Sequence, residues 1–218
     1  MDRSKIILIS VDGNVGAGKT SFLRWLKSNK NHIICEENVD AWRTEYQIDG
    51  ESLFSLYFKD PKRYAFKFQV MALVKKIELL REVLNTCSNG DIVFFERSLL
   101  IDYACFADMH RKNGNMDDIE WKIYTTLYEQ INALDIIKPD IMLYLKCSIN
   151  TAWNRIQKRN REEEYNLNME TIVYYKQQHD KLLKNAIVLD AEPDIIKNTH
   201  LFETFYEKVK GICPTTVR

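Results

Sequence analysis

The chain is poor in the residues that interrupt regular structure, since its 218 residues include only 7 glycines and 4 prolines. It contains no repeat, no low-complexity tract and no linker, so we expect a single domain over residues 1–218. Charge of one sign is not in excess either, because 31 Lys and Arg stand against 31 Asp and Glu. A net charge of zero argues against a protein that binds nucleic acid through bulk electrostatics.

Long apolar runs and paired cysteines are also missing. No stretch approaches the roughly 18 apolar residues of a membrane helix, so we expect no membrane partner. The five cysteines are scattered without CxxC spacing, which predicts reduced, mostly buried thiols and a cytoplasmic location. The four histidines lack metal-like spacing and are interpreted as surface or structural residues. An apolar strand is predicted to begin already at Ile6, so we expect no targeting peptide.

What the chain does contain is an alternation of short apolar runs with long amphipathic ones. The short runs are rich in Ile, Val, Leu and Phe, as strands covered on both faces should be. They cover residues 6–11, 32–35, 92–95, 141–145 and 187–189. The helical stretches cover about residues 18–29, 51–59, 61–87, 98–112, 117–137, 149–160, 168–185 and 200–210. This order predicts an α/β fold in which helices sandwich a parallel sheet.

Residues 13–20 read GNVGAGKT and match the phosphate-loop pattern GxxxxGK[ST]. The glycines let backbone N–H groups turn inward around a phosphate, and the following helix directs its positive end at the same anion. Lys19 would reach the β- and γ-phosphate oxygens, and the Thr20 hydroxyl would ligate Mg²⁺. The predicted nucleotide-binding residues are Gly13, Asn14, Gly16, Ala17, Gly18, Lys19 and Thr20. The sequence therefore predicts binding of ATP, or another nucleoside triphosphate, with Mg²⁺.

The third predicted strand ends in FFERS at residues 94–98. Glu96 and Arg97 therefore lie at the carboxyl end of a strand, where ligands bind in open α/β sheets. A strand-end ion pair is the alternative interpretation. The N/TKxD and DxxG motifs of a GTPase are absent, and a motor or AAA protein would be longer.

Several segments in the right order resemble the deoxyribonucleoside kinase family of deoxycytidine and deoxyguanosine kinases and insect multisubstrate kinases. They are SVDGNVGAGKT (10–20), CEENVDAW (35–42), YFKDPKRYAFKFQ (57–69), FFERS (94–98), DYACF (102–106) and RIQKRNREEE (155–164). The resemblance extends from residue 6 to about 210. It implies a three-layer P-loop kinase fold with a five-stranded parallel sheet, like that of nucleoside-monophosphate kinases. It also implies a homodimer formed through two long helices, here at 61–87 and 117–137.

The resemblance implies transfer of the γ-phosphoryl group of ATP to the 5′-hydroxyl of a deoxynucleoside, as in nucleotide salvage. Such catalysis rests mostly on positioning and charge neutralisation. By the pattern ExVxxW, Glu37 rather than its neighbour Glu36 matches the general base that accepts the hydroxyl proton. Arg97 would hold Glu37 and the 5′ oxygen, and Glu96 would bind Mg²⁺. Asp190 lies where the family has its adenine-binding loop.

Taken alone, the charged segment RIQKRNREEE is typical of a solvated helix face, but the resemblance implies that it belongs to a lid over the phosphates, at about residues 155–166. Arg155 and Arg159 lie at i and i+4, so one helix face could present both guanidiniums to the transferring phosphoryl group. By resemblance, Arg161 is a third lid arginine, and Glu164 accepts a hydrogen bond from the sugar 3′-hydroxyl. The cations would face the polyphosphate and the glutamate the sugar.

A base pocket is predicted from helical spacing. Gln69, Ala72 and Lys76 lie at i, i+3 and i+7 on one helical face. Asp102 and Phe106 lie at i and i+4 on another helix. The Gln69 amide offers a donor and an acceptor side by side, so it can pair with a base edge. Aromatic side chains could sandwich the base, with plain core packing as the alternative. These are Trp42, Phe68 and Phe106.

The resemblance also bears on which base is preferred. Relatives that favour deoxycytidine and purines carry Ala, Arg and Asp at the positions of Ala72, Lys76 and Asp102. This chain keeps the charge types, although Lys lacks the planar fork of Arg. The resemblance therefore predicts that the enzyme prefers deoxycytidine or purine deoxynucleosides to thymidine as substrates. A thymidylate-kinase-like monophosphate kinase and a nucleotide-binding protein without catalysis are the alternatives.

One position departs from the family pattern. The family places a Tyr three residues before the proline of the KDP motif, where its hydroxyl helps to hold the sugar 3′-hydroxyl; here that residue is Phe58. Tyr57 is one residue earlier and would point about 100° away on a helix. The Phe58 ring could still cover the 2′ carbon, but the hydrogen bond is lost unless Tyr57 or a water replaces it. We therefore expect sugar binding weakened by about 0.5–1.5 kcal/mol, the value of one neutral hydrogen bond, rather than a loss of activity.

Overall fold

The computed structural model describes residues 6–37, 39–134, 137–161, 164, 167–194, 198 and 200–212. Its strands are β1 (Ile7–Asp12), β2 (Ile33–Cys35), β3 (Gln47–Ile48), β4 (Glu51–Ser52), β5 (Ile92–Glu96), β6 (Ile141–Lys146) and β7 (Ile187–Asp190). Five of them form one parallel sheet in the order β2-β5-β1-β6-β7. The other two, β3 and β4, form an antiparallel hairpin.

Helices connect the strands and cover the sheet. They are α1 (Lys19–Lys30), α2 (Val39–Glu45), α3 (Leu53–Lys59), α4 (Pro61–Thr86), α5 (Leu99–Ile101), α6 (Asp108–Lys112), α7 (Asp118–Asn132), α8 (Ile149–Arg159), α9 (Met169–Leu182) and α10 (His200–Lys210). A π-helical turn, Asp102–Ala107, joins α5 to α6. The predicted α/β fold with a five-stranded parallel sheet flanked by helices is confirmed.

The core lies on both faces of the sheet. Consecutive residues of β1 belong to different clusters, because Leu8 packs with Phe95 on one face and Ile9 with Phe94 on the other. Strand side chains alternate between the two faces, so nearly continuous apolar runs are what a sheet covered on both sides requires. Because the strands are parallel and their register is fixed by this packing, their carboxyl ends lie together at one edge of the sheet.

The two long helices begin at caps that the sequence encodes. Asp60 accepts a hydrogen bond from the backbone N–H of Arg63, and Pro61 occupies the first turn of α4. Asp117 accepts bonds from the start of α7 while Glu120 bonds back to it, which completes a capping box. Such caps satisfy N–H groups that have no partner within the helix.

Several predicted boundaries differ from the structure. The strand predicted at 32–35 begins at Ile33, and the helix predicted at 117–137 ends at Asn132. The helix predicted at 51–59 begins at Leu53, because Ser52 caps it by accepting from the N–H of Ser55 at 3.1 Å.

The hairpin and α2 were not predicted from the sequence. The hairpin turns at Asp49 and Gly50, which have φ values of 52° and 82°. Two central residues with positive φ are the signature of a tight hairpin turn, and Asp-Gly is a typical sequence for it. That dipeptide was the signal available in the sequence.

Two predictions from composition can be compared with the described residues. Cys35, Cys87, Cys105 and Cys147 are free and buried, whereas Cys213 lies outside the part of the chain that is described. Within the described residues, no helix has the length and apolar character needed to cross a bilayer.

Candidate active site

A cavity of about 490 Å³ opens where the segments after β1, β2 and β5 meet. Its volume is within the usual range for small-molecule sites, and its position is where open α/β sheets bind ligands. The predicted site residues that line it are Gly16, Gly18, Lys19, Thr20, Glu37, Trp42, Phe58, Phe68, Gln69, Ala72, Glu96, Arg97, Asp102, Phe106, Arg159, Arg161 and Glu164. The structure therefore gathers most of the predicted residues around one space.

The phosphate loop packs closely against β6 and α8. Gly16 has a φ of 80°, and a Cβ there would lie 2.5 Å from the carbonyl oxygen of Ala152. A Cβ on Gly13 would lie 2.7 Å from the carbonyl oxygen of Leu145. Gly18 is the N-cap of α1. Glycine is required at positions 13 and 16 because neither the backbone angle nor the available space admits a side chain.

Asn14 and Ala17 build the loop rather than line the cavity. The Asn14 amide donates to the carbonyl of Ile172 at 3.0 Å, and its Oδ1 accepts from the N–H of Val15 at 2.8 Å. The N–H of Ala17 donates to the Asn14 carbonyl at 3.1 Å. These bonds tie the loop to α9 and fix its turn, so both residues act as supports for the residues that face the cavity.

Lys19 lies across the phosphate loop. Its Nζ donates to the carbonyls of Gly13 and Asn14, both at 3.1 Å, and lies 3.9 Å from Glu96. Burial lowers the pKa of Lys19 to about 8, against the opposing effect of Glu96. The Lys19 ammonium is therefore charged at neutral pH, and its hydrogen bonds to two loop carbonyls hold it in the phosphate loop.

Thr20 and Glu96 place oxygen donors side by side at the start of α1 and the end of β5. The Thr20 hydroxyl donates to the Glu96 carboxylate at 3.0 Å, and Glu96 is only 9% exposed. Hydroxyl and carboxylate oxygens are ligands that Mg²⁺ accepts, and the ion keeps several waters in sites of this kind. Within the described residues no group of three or more His, Cys, Asp and Glu could hold a metal. These two residues fit Mg²⁺ if the nucleotide and water supply the other ligands.

Glu37 lies between two cations just beyond β2. Its carboxylate is 3.3 Å from Arg97 and 3.8 Å from Lys76, and its side chain is 12% exposed. Burial acts to raise the pKa of Glu37, but the charges of Arg97, Lys76 and Lys19 outweigh it and leave the pKa below its usual value. The carboxylate is therefore ionised at neutral pH and able to accept a proton.

Glu36 occupies a different environment, although it also lines the cavity. It accepts two hydrogen bonds from Arg24, whose side chain is 68% exposed. An exposed ion pair of this kind contributes little to stability. Of the two adjacent glutamates, Glu37 is thus the one that pairs with two largely buried cations.

Arg97 is held in a strained backbone conformation with φ 63°. Its N–H donates to the carbonyl of Val11 at 3.1 Å, and its guanidinium lies 4.3 Å from the centre of the Phe106 ring. Its Nε is buried and has no hydrogen-bond partner. Positive φ in a non-glycine residue costs about 1–3 kcal/mol and tends to occur at functional sites. The strain sets the guanidinium against both Glu37 and Asp102, the latter at 3.9 Å.

Lys76 and Asp102 form a buried ion pair at the edge of the cavity. The Lys76 ammonium donates to the Asp102 carboxylate and, at 2.9 Å, to the carbonyl of Arg97. Burial raises the pKa of Asp102, although Lys76 and Arg97 act against it. Asp102 lines the main cavity, whereas Lys76 lines a neighbouring cavity of about 360 Å³. Lys76, predicted to bind substrate, therefore does not line the main cavity and reaches it through Asp102.

Aromatic rings form a large part of the cavity wall. Trp42 meets Phe68 edge-on, with centroids 5.6 Å apart. Tyr57 stacks on Phe68 at 4.3 Å with an angle of 7° between the rings, and it also contacts Phe58 at 4.7 Å. Tyr57 and Phe58 both line the cavity, although they are consecutive residues of a helix. A cavity that curves around α3 can contact consecutive residues of the helix.

The lid region brings opposite charges together rather than apart. Arg159 donates to Glu164 through Nε at 3.1 Å and through its terminal nitrogen. Arg161 lines the same cavity. Residues 162, 163, 165 and 166 of the predicted lid lie outside the described residues. The expected separation of cations from the glutamate is not what this structure has, since Arg159 and Glu164 bind each other.

Arg155 and Asp190 do not line the cavity. The guanidinium of Arg155 donates to the backbone carbonyls of Ala191, Glu192 and Pro193, the shortest at 2.6 Å. Asp190 accepts from the N–H of Glu192 at 3.1 Å. The expectation that one face of α8 presents Arg155 and Arg159 together is not met, because the loop after β7 offers Arg155 carbonyl acceptors.

Sequence reasoning missed Asp12 at the end of β1. It is fully buried, accepts from the N–H and hydroxyl of Ser98 at 2.7 and 3.0 Å, and accepts from the hydroxyl of Ser10 at 2.8 Å. Burial raises its pKa, against those hydrogen bonds. It joins the phosphate loop to the segment that carries Arg97. A carboxylate ending an apolar run directly before the loop was the available signal.

The fold and this cavity define a class: a P-loop kinase with a five-stranded parallel sheet. The chain belongs to the deoxynucleoside kinase family, whose profile matches residues 9–214. It is similar to a probable deoxycytidine kinase of Fowlpox virus, with 31% identity across 80% of this chain and 71% of the relative. It is also similar to deoxycytidine kinase 1 of Xenopus laevis and to deoxycytidine kinase of Homo sapiens. Each is 26% identical, across 98% and 97% of this chain respectively and 93% of the relative. The protein is therefore an enzyme of the kinase class that phosphorylates deoxynucleosides.

Proposed function

We propose that the protein transfers the γ-phosphoryl group of ATP, with Mg²⁺, to the 5′-hydroxyl of deoxycytidine or purine deoxynucleosides. The observation that carries this proposal is the buried Glu37 carboxylate, held between Arg97 and Lys76 at the strand edge that also bears Lys19. An ionised carboxylate at that place can accept the proton of a hydroxyl as its oxygen attacks phosphorus.

The remaining residues of the centre supply positioning and charge. Lys19 binds the β- and γ-phosphates, while Arg159 and Arg161 meet the transferring group from the lid. Arg97 holds Glu37 in place. Thr20 and Glu96 would hold Mg²⁺, which neutralises charge on the phosphates when bound. Arg155, together with Asp190, supports the loop of residues 191–193 as the adenine side of the site.

The deoxynucleoside occupies the aromatic part of the cavity in this proposal. Trp42, Phe68 and Phe106 cover the base, and Gln69 pairs with its edge. Asp102 accepts from a base amino group beside Ala72, with Lys76 behind it. Glu164 binds the sugar 3′-hydroxyl, and Phe58 covers the 2′ carbon. Deoxycytidine and the purine deoxynucleosides carry the amino group that such a carboxylate can bind, whereas thymidine does not.

The decisive assay incubates the protein with ATP, Mg²⁺ and a panel of deoxynucleosides and deoxynucleoside monophosphates. We expect monophosphates to form from deoxycytidine or the purine deoxynucleosides faster than from thymidine. Phosphorylation of monophosphates alone would instead indicate a thymidylate-kinase-like enzyme. ATP binding without any turnover would indicate a nucleotide-binding protein.

Base preference is tested by replacing Lys76 and Asp102 together. A single Lys76→Met variant would leave Asp102 buried without its main partner, and such a loss costs about 3–5 kcal/mol of stability. The double variant Lys76→Met with Asp102→Ala removes both charges, and we expect it to raise thymidine turnover relative to deoxycytidine or deoxyadenosine. An unchanged ratio in a folded double variant would refute the pocket assignment.

A homodimer, a cytoplasmic location and a salvage role complete the proposal. The described part of α7 exposes Ile119, Ile123 and Leu127 at i, i+4 and i+8, and α4 exposes Val74. α4 packs directly against α7. Large apolar side chains at helical spacing on a surface typify a protein interface.

A further inference from the structure

The deoxynucleoside cavity contains a phenol that is held from behind by a buried imidazole. Tyr57 lines the cavity, and its hydroxyl oxygen lies 2.7 Å from Nε2 of His110. His110 is 3% exposed and does not line the cavity. Stacking on Phe68 at 4.3 Å fixes the plane of the phenol ring. The hydroxyl is thus set in one place by a polar contact and an aromatic one.

The partners of His110 determine which atom carries the proton. Nδ1 of His110 lies 3.3 Å from the side-chain nitrogen of Asn115, which can only donate, so Nδ1 is an acceptor. Burial lowers the pKa of His110 to about 4, so the ring is neutral near pH 7 and carries one hydrogen. That hydrogen is on Nε2 and is donated to the oxygen of Tyr57. The tyrosine keeps its own proton, because burial also raises its pKa.

A tyrosine whose oxygen already accepts a hydrogen bond has its own O–H left to donate. We propose that the Tyr57 hydroxyl donates a hydrogen bond to an oxygen or nitrogen acceptor of the bound deoxynucleoside and supplies the polar contact that Phe58 cannot make. This inference rests on the proposed function. The two rings are adjacent, with centroids 4.7 Å apart, so a phenol is provided one residue before the position that lacks it.

If Tyr57 and His110 served only to fill space, their hydrogen bond would not be needed. Tyr57, His110 and Asn115 bring several polar groups into an aromatic cluster, where each must be satisfied or costs free energy. Apolar side chains of similar size would pack there without that demand. The hydrogen-bonded series runs from Asn115 through His110 to the hydroxyl of Tyr57, a residue that lines the cavity. A ligand that accepts a hydrogen bond from this hydroxyl would explain why the series is present.

The test is Tyr57→Phe, which keeps the ring stacked on Phe68 and removes only the hydroxyl. We expect the KM for the deoxynucleoside to rise about threefold to tenfold, the effect of one hydrogen bond, while the KM for ATP stays constant. Tyr46→Phe is the matched control, because Tyr46 is 38% exposed and lies outside the cavity. A 2′,3′-dideoxynucleoside distinguishes two acceptors: the effect disappears if Tyr57 binds the 3′-hydroxyl and persists if it binds the base.

Substitutions at His110 separate positioning from packing. His110→Leu should raise the deoxynucleoside KM as Tyr57→Phe does, while His110→Gln, which keeps a donor near Nε2, should restore it. Binding of the deoxynucleoside is measured by calorimetry beside the kinetics. Unchanged KM and affinity in Tyr57→Phe, or equal losses for both substrates with a lower Tm, would overturn the inference while wild-type turnover upholds the proposed function. A wild-type protein that neither binds nor phosphorylates deoxynucleosides would refute both.

Discussion

Glu36 and Glu37 are adjacent in the chain yet have opposite electrostatic surroundings. The first pairs with an exposed arginine, and the second lies buried between Arg97 and Lys76. Burial strengthens each interaction of Glu37 because less water screens the charges. A difference of one residue in position therefore separates a surface ion pair from the buried carboxylate that we propose as the general base.

Replacing Glu37 by Gln keeps the shape of the side chain and removes its basicity. We expect kcat to fall by about a hundredfold to ten-thousandfold, the usual contribution of a general base, with little change in the KM for ATP. Steady-state kinetics with deoxycytidine measures both constants. Glu36→Gln is the comparison, and an equal loss of kcat in that variant would contradict the assignment.

The lowered pKa of Lys19 predicts that nucleotide binding depends on pH. Below about pH 8 the free protein carries a cation in the phosphate loop, and above it the amine becomes neutral. ATP should therefore bind more weakly at pH 9 than at pH 7, and binding at pH 9 should take up a proton. Calorimetry in buffers of different ionisation enthalpy measures that uptake.

Lys19→Arg is the control for this pH effect, since guanidinium stays charged throughout the range. Its affinity for ATP should be lower but constant between pH 7 and pH 9. Equal affinity of the wild-type protein at both pH values would show that Lys19 is not the titrating group.

Sequence patterns located residues whose role depends on local spacing and missed those that depend on partners from elsewhere. The phosphate loop and the order of Glu96 and Arg97 follow from motifs that span a few residues. The partners of Arg155 come from residues 191–193, and the partner of Tyr57 is His110, 53 positions along the chain. Nothing in the periodicity of either segment specifies such long-range contacts.

At the scale of elements, the phosphate loop is fixed by its contact with α8. Gly16→Ala should abolish ATP binding and lower Tm, because the new Cβ would overlap the carbonyl of Ala152. Gly90→Ala is the control, since Gly90 also has a positive φ of 93° but has open space around it. Thermal denaturation with and without ATP measures both effects, and equal behaviour of the two variants would contradict the packing argument.

The alternation of strands and helices was predicted because apolar runs report directly on burial. The π-helical turn at Asp102–Ala107 was not, since an i to i+5 hydrogen bond leaves no periodic signal in six residues. It carries both Asp102 and Phe106, and π turns occur often at functional sites. The sequence thus predicted that one helix presents these residues, while their exact relation depends on packing against α4 and α9.

At the scale of the whole molecule, the exposed apolar residues of α7 predict self-association. Ile123→Asp should convert a dimer into a monomer, measured by light scattering coupled to size exclusion, because burying a carboxylate without a partner is costly. Val188→Asp on β7 is the control, since that residue is 41% exposed but lies far along the chain on another element. A wild-type protein that elutes as a monomer at micromolar concentration would contradict the proposal.

If Arg159 binds the polyphosphate and Glu164 the sugar, as we propose, their ion pair links the two substrates thermodynamically. A polyphosphate that draws Arg159 toward itself must break this pair, and the break leaves Glu164 free to accept from a sugar hydroxyl. The ligand that binds first supplies the free energy needed to separate the Arg159–Glu164 pair. The second ligand then binds more tightly than it would alone, because the pair is already broken. Linkage is reciprocal, and the nucleoside must favour the nucleotide by the same factor. In the proposed function, the charged stretch that begins in α8 would thereby make occupancy of one half of the cavity depend on the other half.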